Sequence, residues 1–259
     1  MYVFEKLRQK GKGVIDAHAH IYFNDELNNN LLKLANIFNI ERMYVSIYPF
    51  DLDNPANPSY KSVFEGNMKV LDLCKKHSIF RGMVFVNHLD VNQVDMAEKF
   101  LREGFAGIGE IYRYGKFLGK LAEPFMSLAK EYDVPVLIHT AHRLYPRGRV
   151  GEMDSNDIVK LAKKWPNIRI IMSHISGGGD WEYAIRVIKN MSNVYIDIGG
   201  SVVDMGIIEK AVEILKPHRI LFASDNLIPQ AIGRVEDAKI DEDIKELIYA
   251  ENALKVFKD

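Results

Sequence analysis

Short runs of β-branched and aliphatic residues alternate with longer amphipathic runs along the whole chain. The short runs occupy residues 13–21, 42–49, 80–86, 104–111, 134–140, 168–175, 194–199 and 219–224, each of strand length. Between them, apolar residues recur at three- and four-residue spacing over 25–38, 60–77, 91–103, 121–132, 155–165, 181–189 and 204–215, with further helical pattern at 241–250 and 252–257. That spacing places the apolar side chains on one face of a helix. Every strand but the eighth is followed directly by a helix. Several strands, such as Met43-Tyr44-Val45-Ser46-Ile47 and Ile170-Ile171-Met172, are apolar on both faces, as happens where helices cover one side of a parallel sheet and packed side chains fill the other.

Eight strands alternating with helices predict an α/β fold, a (β/α)8 TIM barrel forming a single domain over 1–259, a length usual for such barrels. An open doubly wound sheet would carry a Gly-rich turn after its first strand; Asp16-Ala17-His18-Ala19-His20 stands there instead. The least regular stretches, 50–59 and 142–154, follow strand C-termini, where barrel loops shape a substrate pocket.

Composition narrows the class. With 47% hydrophobic and 27% charged residues the chain reads as globular, not disordered or fibrous. A formal net charge of -1 gives no broad cationic field, so nucleic acid is not expected as a partner. No stretch approaches the ~20 apolar residues of a membrane span, and 1–14 has no signal-like apolar run. A cytoplasmic location, no membrane partner and a small-molecule substrate are expected, and a homo-oligomer is compatible with the sequence. The single cysteine, Cys74, falls in a helical stretch and reads as an inert thiol.

The candidate chemistry lies at strand ends. His18 and His20, two apart on a strand, project to the same face at its C-terminal end, with Ala17 and Ala19 toward the helices. Glu110 ends the fourth strand, His139 the fifth and His174 the sixth, and Asp225 follows the eighth. One such histidine is commonly a hydrogen-bonded core residue. Four histidines and two acids on one rim suit a divalent cation, because burying so many ionisable groups is costly without one.

Asp16-Ala17-His18-Ala19-His20, the later strand-end histidines and Asp225 together resemble the amidohydrolase superfamily of metal-dependent hydrolases over the whole chain. Ser173-His174-Ile175-Ser176-Gly177-Gly178, Asn193-Val194-Tyr195-Ile196-Asp197 and Glu251-Asn252-Ala253-Leu254-Lys255-Val256-Phe257 are similar to the branch that includes aminocarboxymuconate-semialdehyde decarboxylase-like proteins. The resemblance implies His18, His20, His139 and Asp225 as metal ligands, Zn²⁺ first and Mn²⁺ next, with Asp225 as proton shuttle. Gly107-Ile108-Gly109-Glu110-Ile111 instead resembles TatD-like hydrolases, in which such a glutamate bridges two ions; His139 and His174 would then hold the second. With one ion, His174 is free to hydrogen-bond substrate. The activity implied is hydrolysis of a small carbonyl, ester, lactone or amide. Non-oxidative decarboxylation is the alternative, followed by a TatD-like nuclease or a catalytically silent metal-binding scaffold.

Lesser candidates have plainer readings beside them. His142, Arg143, Arg147 and Arg149 suit an anion clamp or a solvated lid. Tyr112 and Tyr114 suit substrate contact or packing under a loop. Gly177-Gly178-Gly179 suits a phosphate cradle or a tight turn, with Asp180 capping the next helix. His88 fits a pocket wall or a surface cap, Asp16 a support for a ligand or a core hydrogen bond, and His77 and His218 belong to the opposite, structural end.

Overall fold

The computed structural model describes residues 13–112, 115–141, 152–177, 180–200, 202 and 204–259. Its elements run β1 (Val14–Ile21), α1 (Asp25–Ile37), β2 (Ile40–Ile47), α2 (Tyr60–Lys76), β3 (Phe80–Val84), α3 (Gln93–Arg102), β4 (Gly107–Ile111), α4 (Glu123–Glu131), β5 (Val136–Ile138), α5 (Ser155–Lys164), β6 (Ile170–Met172), α6 (Trp181–Val187), β7 (Val194–Asp197), α7 (Ile207–Leu215), β8 (Ile220–Leu221), α8 (Ile228–Asp237), α9 (Glu242–Glu246) and α10 (Asn252–Phe257). The strands pair in parallel in the order β1 to β8. The ring is drawn together where Ala17 N donates to Phe222 O at 2.9 Å and Asp225 N donates to His18 O at 2.9 Å. This is the (β/α)8 barrel.

Local chemistry starts several helices where the pattern placed them. Asn24, Ser59 and Asp154 accept backbone N–H groups of the first turns of α1, α2 and α5, satisfying donors that a helix leaves unpaired. Asp180 does the same for α6 through Tyr183 N at 2.9 Å.

The sequence pattern missed α8, so the eighth strand also has its helix. Pro229 and Gly233 look like breakers, but proline is tolerated in a first helical turn. Ile228, Ala231, Ile232 and Val235 are buried at helical spacing, and their packing outweighs the glycine's modest cost. The late strands are shorter than expected. β6 stops at Met172 because His174 and Ile175 take left-handed backbone angles, φ 57° and 50°, which no strand accommodates.

Two apolar layers hold the barrel. The larger fills the space between sheet and helices, with Met43, Val45, Ile108, Ile138, Ile170 and Ile196 among its strand members. The smaller joins Ile15, Tyr44, Met83, Leu137, Ile171 and Leu221 with Ala253, Val256 and Phe257 of α10. Side chains from six strands meet there on the barrel axis, and α10 closes the end from which the strands start. Tyr44 stacks on Phe257 at 3.5 Å between centroids. Ala17 joins this inner cluster, while Ala19 belongs to the outer one. The expectation that both face the helices fails because pairing with β2 slips between Asp16 and Ala19, and such an irregularity breaks strict alternation.

Candidate metal centre

Above the inner cluster the strand ends bring His18, His20, Glu110, His139, His174 and Asp225 together. His18 Nε2 lies 3.2 Å from His20 Nε2, and His20 Nε2 lies 3.2 Å from Asp225 Oδ1. Nitrogen and oxygen donors about 2.1 Å from one tetrahedral ion stand roughly 3.4 Å apart, so these atoms are already close to ligand spacing. His18, His20 and Asp225 offer donor atoms mutually within 4.8 Å, as do His18, Glu110 and His174.

Glu110 sits at the middle. Its Oε2 is 3.7 Å from both His18 Nε2 and His20 Nε2, and its Oε1 is 3.0 Å from His139 Nδ1 and 3.3 Å from His174 Nε2. Each carboxylate oxygen therefore faces its own pair of imidazoles. Gly109 makes this possible. Its φ is +134°, and a Cβ there would lie 2.3 Å from Leu137 O, so only glycine passes β5 at that point.

His139 stands apart from the His18, His20 and Asp225 triad. It is joined to the centre through Glu110, and its Nε2 meets Glu152 Oε1 at 3.4 Å. The four residues expected around one ion are thus distributed over two sides of Glu110.

The field of the site is negative. Burial would push the His18 imidazole down, but Glu110 and Asp197 outweigh it and raise it to about 10. Burial likewise opposes protonation of His139, yet Glu110 and Glu152 raise it to about 9. Burial would raise Glu110, but His139 and His18 hold it well below the ordinary carboxylate range. Asp225, also pushed up by burial, is brought down to about 2 by His20 and His174. Buried carboxylates among imidazoles attract positive charge in place of protons, so the donor set fits a divalent cation.

Several contributors escaped the sequence reading. Asp197, at the end of β7, meets His18 Nδ1 with Oδ2 at 2.9 Å; an acid at a strand end was the available signal. Ser46 Oγ lies 3.2 Å from His20 Nδ1. Asn226 accepts His20 N at 2.8 Å and donates to His20 O at 2.9 Å. Glu152 comes from an irregular segment and gave no signal. Around the mouth an aromatic rim runs through Tyr22, Tyr48, Phe50 and Tyr112 to His139, with centroid separations of 5.0, 5.5, 5.9 and 4.8 Å.

The lesser candidates resolve in part. Tyr112 is buried against His139 and forms the base of that rim. Asp16 accepts His18 N, Ser224 N and Ser224 Oγ, a strap between β1 and β8; burial, the largest influence, raises its carboxyl to about 7. His88 is 1% exposed beside Phe117, neither a surface cap nor part of the centre. Cys74 packs against the core, where burial raises its thiol to about 12. His142, Arg143, Arg147, Arg149, Tyr114, Gly178 and Gly179 lie outside the described residues. A surface cleft of about 630 Å³ between α7 and α8 is lined by none of the converging side chains.

This barrel, with imidazoles and carboxylates gathered at its C-terminal mouth, is the architecture of a metal-binding α/β-barrel protein. The amidohydrolase family model matches residues 15–258, and the chain belongs to that family. Among curated proteins no sequence match is found. The fold is similar to 2,6-dihydroxybenzoate decarboxylase from Rhizobium, with 17% identity, TM-score 0.70 and coverage of 95% of this chain and 99% of that one. It is also similar to 5-carboxyvanillate decarboxylase from Novosphingobium aromaticivorans complexed with manganese and 4-hydroxy-3-methoxy-5-nitrobenzoic acid, with 14% identity, TM-score 0.72 and 97% of each chain covered. A candidate 2-pyrone-4,6-dicarboxylic acid hydrolase from Pseudomonas putida aligns with 15% identity and TM-score 0.66 over 95% of this chain and 97% of that one. Among the described residues, no helix is long and apolar enough to cross a membrane.

Proposed function

We propose that the protein is a metal-dependent hydrolase of a small carbonyl, ester, lactone or amide substrate, with Glu110 bridging two divalent cations. The observation that carries this reading is the division of Glu110, one oxygen toward His18 and His20 and the other toward His139 and His174. His18, His20 and Asp225 would hold one ion, and His139 and His174 the other. The imidazole-rich set suits Zn²⁺, with Mn²⁺ as the alternative. A divalent cation supplies Lewis acidity, polarising a substrate oxygen and acidifying water.

The residues themselves divide the remaining work. Glu110 and His18 are almost fully enclosed, whereas the Asp225 side chain is 27% exposed, which makes it the acid that substrate and water reach. Its Oδ1 is turned to His20 and its Oδ2 lies 4.0 Å from His174 Nδ1. Asp225 accepts a proton from the attacking water at Oδ2 and returns it to the leaving atom, while the hydroxyl adds to the acyl carbon. Tyr48 and Phe50 form the wall against which a planar substrate lies.

A second reading is favoured by that aromatic rim together with the decarboxylases the fold is similar to. In it the same centre would hold an aromatic carboxylate, Asp225 would take a proton from water and pass it to the carbon bearing the carboxyl group, and the carbon–carbon bond would break to release CO₂.

Metal content of protein prepared without chelator tests the bridge. Two ions per chain are expected in the wild type and one in Glu110→Gln; one ion in both removes the bridging role. Turnover in ¹⁸O-water separates the reactions, since hydrolysis places the label in the acid product, whereas decarboxylation releases CO₂ and leaves the organic product without label.

A further inference from the structure

Asp197 sits at the end of β7, fully buried, with both of its oxygens engaged. Oδ1 accepts two backbone N–H groups, from His174 at 2.8 Å and from Gly199 at 3.0 Å. Oδ2 meets His18 Nδ1 at 2.9 Å. The first two partners are fixed donors. A histidine ring nitrogen can donate or accept, according to which nitrogen carries the proton.

We infer that Asp197 is a positioning residue that sets which ring nitrogen of His18 is free to bind metal, and that the same carboxylate holds the backbone of His174 in its left-handed conformation. The inference rests on the metal reading of the site. With Oδ1 committed to the two amides, only Oδ2 is available to His18, and as an acceptor it requires the proton on Nδ1. The Nε2 lone pair is then directed at the point between His20 and Glu110. His174, at φ 57°, is the ring that reaches Glu110 from the opposite side. One side chain thus sets a ligand from β1 and another from the turn after β6.

Replacing Asp197 with Asn changes one atom and reverses this logic. The two amides require the carbonyl oxygen, since facing them with an NH₂ group would leave two buried donors unpaired. The NH₂ is thereby turned onto His18 Nδ1, which must become an acceptor, and the proton moves to Nε2, where metal should bind. Asp197→Ala only removes the constraint. A purely structural role predicts that Asn, which keeps the acceptor for both amides, is the milder change in every measurement. A tautomer-setting role predicts that the order inverts for metal.

The test compares Zn²⁺ affinity, by competition with a chelator, and thermal stability without metal in wild type, Asp197→Asn and Asp197→Ala. Apo stability is expected to fall in the order wild type, Asn, Ala. Zinc affinity is expected to fall in the order wild type, Ala, Asn, with Asn weaker than wild type by roughly 10- to 100-fold or more, the usual scale for a partner of a ligating histidine. A zinc-binding wild type with Asn tighter than Ala overturns this inference and leaves the metal reading standing. A wild type that binds no zinc or manganese overturns both. Should Asp197→Ala fail to fold, ¹⁵N-histidine NMR of zinc-loaded wild type decides: a proton on His18 Nδ1 is expected, and a proton on Nε2 overturns the proposal.

Discussion

His20 is held on three sides. Asn226 brackets its backbone with two hydrogen bonds, Ser46 meets its Nδ1, and Asp225 faces its Nε2. Asp225 and Asn226 themselves adopt left-handed angles, φ 49° and 64°, which Asp and Asn tolerate better than most residues. Asp225→Asn should therefore keep the turn and part of the metal while losing the proton acceptor. Its kcat is expected to fall about 10²- to 10⁴-fold, measured beside metal content; undiminished kcat removes Asp225 from proton transfer. A second residue-scale outcome concerns His88, which burial lowers to about 4 although its ring donates a hydrogen bond to the Gly115 backbone, which acts in the opposite sense. The unfolded chain takes up this proton near 6.5, the folded protein only near 4. Between those values the unfolded state binds more protons, so stability rises with pH and the contribution is complete above 6.5. Urea denaturation from pH 4.5 to 7 should show a flatter slope in His88→Leu than in wild type, and parallel curves would show that His88 is not held neutral.

At the scale of elements, α10 is the clearest case of a segment whose place depends on a partner far away in sequence. Phe257 lies against Tyr44, and Asp259, just beyond the helix, accepts from Tyr44 Oη at 2.9 Å and pairs with Arg42 at 2.9 Å. Phe257→Ala should cost about 3–5 kcal/mol by urea denaturation, with zinc affinity within twofold of wild type because the inner apolar layer separates this end from the centre. A matching loss of affinity would show that the two ends are coupled. Most elements were legible because period 2 and period 3.6 differ plainly in runs such as 134–140 and 60–77. The helix α8 was not, since its proline and glycine carry a strong local signal while its burial is a tertiary fact. The short β6 was not either, because the turn at His174 is fixed by Asp197, 23 residues later.

For the whole molecule, the centre was readable as a list and only partly as an arrangement. Two histidines at a two-residue interval share a face by strand geometry alone, and recurrence at other strand ends pointed to one rim. Which ligand stands beside which followed from no spacing: Glu110 ends β4, next to β5, and its side chain also reaches across the mouth to His18 and His20 of β1. Asp197 stands at a strand end by the same rule, as the last residue of β7. Glu152 and Phe50 come from connections whose course only the folded chain determines.

The barrel axis is filled by the side chains of six strands and sealed by α10. Among the described residues the axis is blocked at that end, so under the proposed activity a reactant and its product share the doorway at the opposite mouth, beside Phe50 and Tyr48. Turnover then requires the doorway to clear before the next molecule is admitted, and a lingering product competes with fresh reactant for the one vestibule.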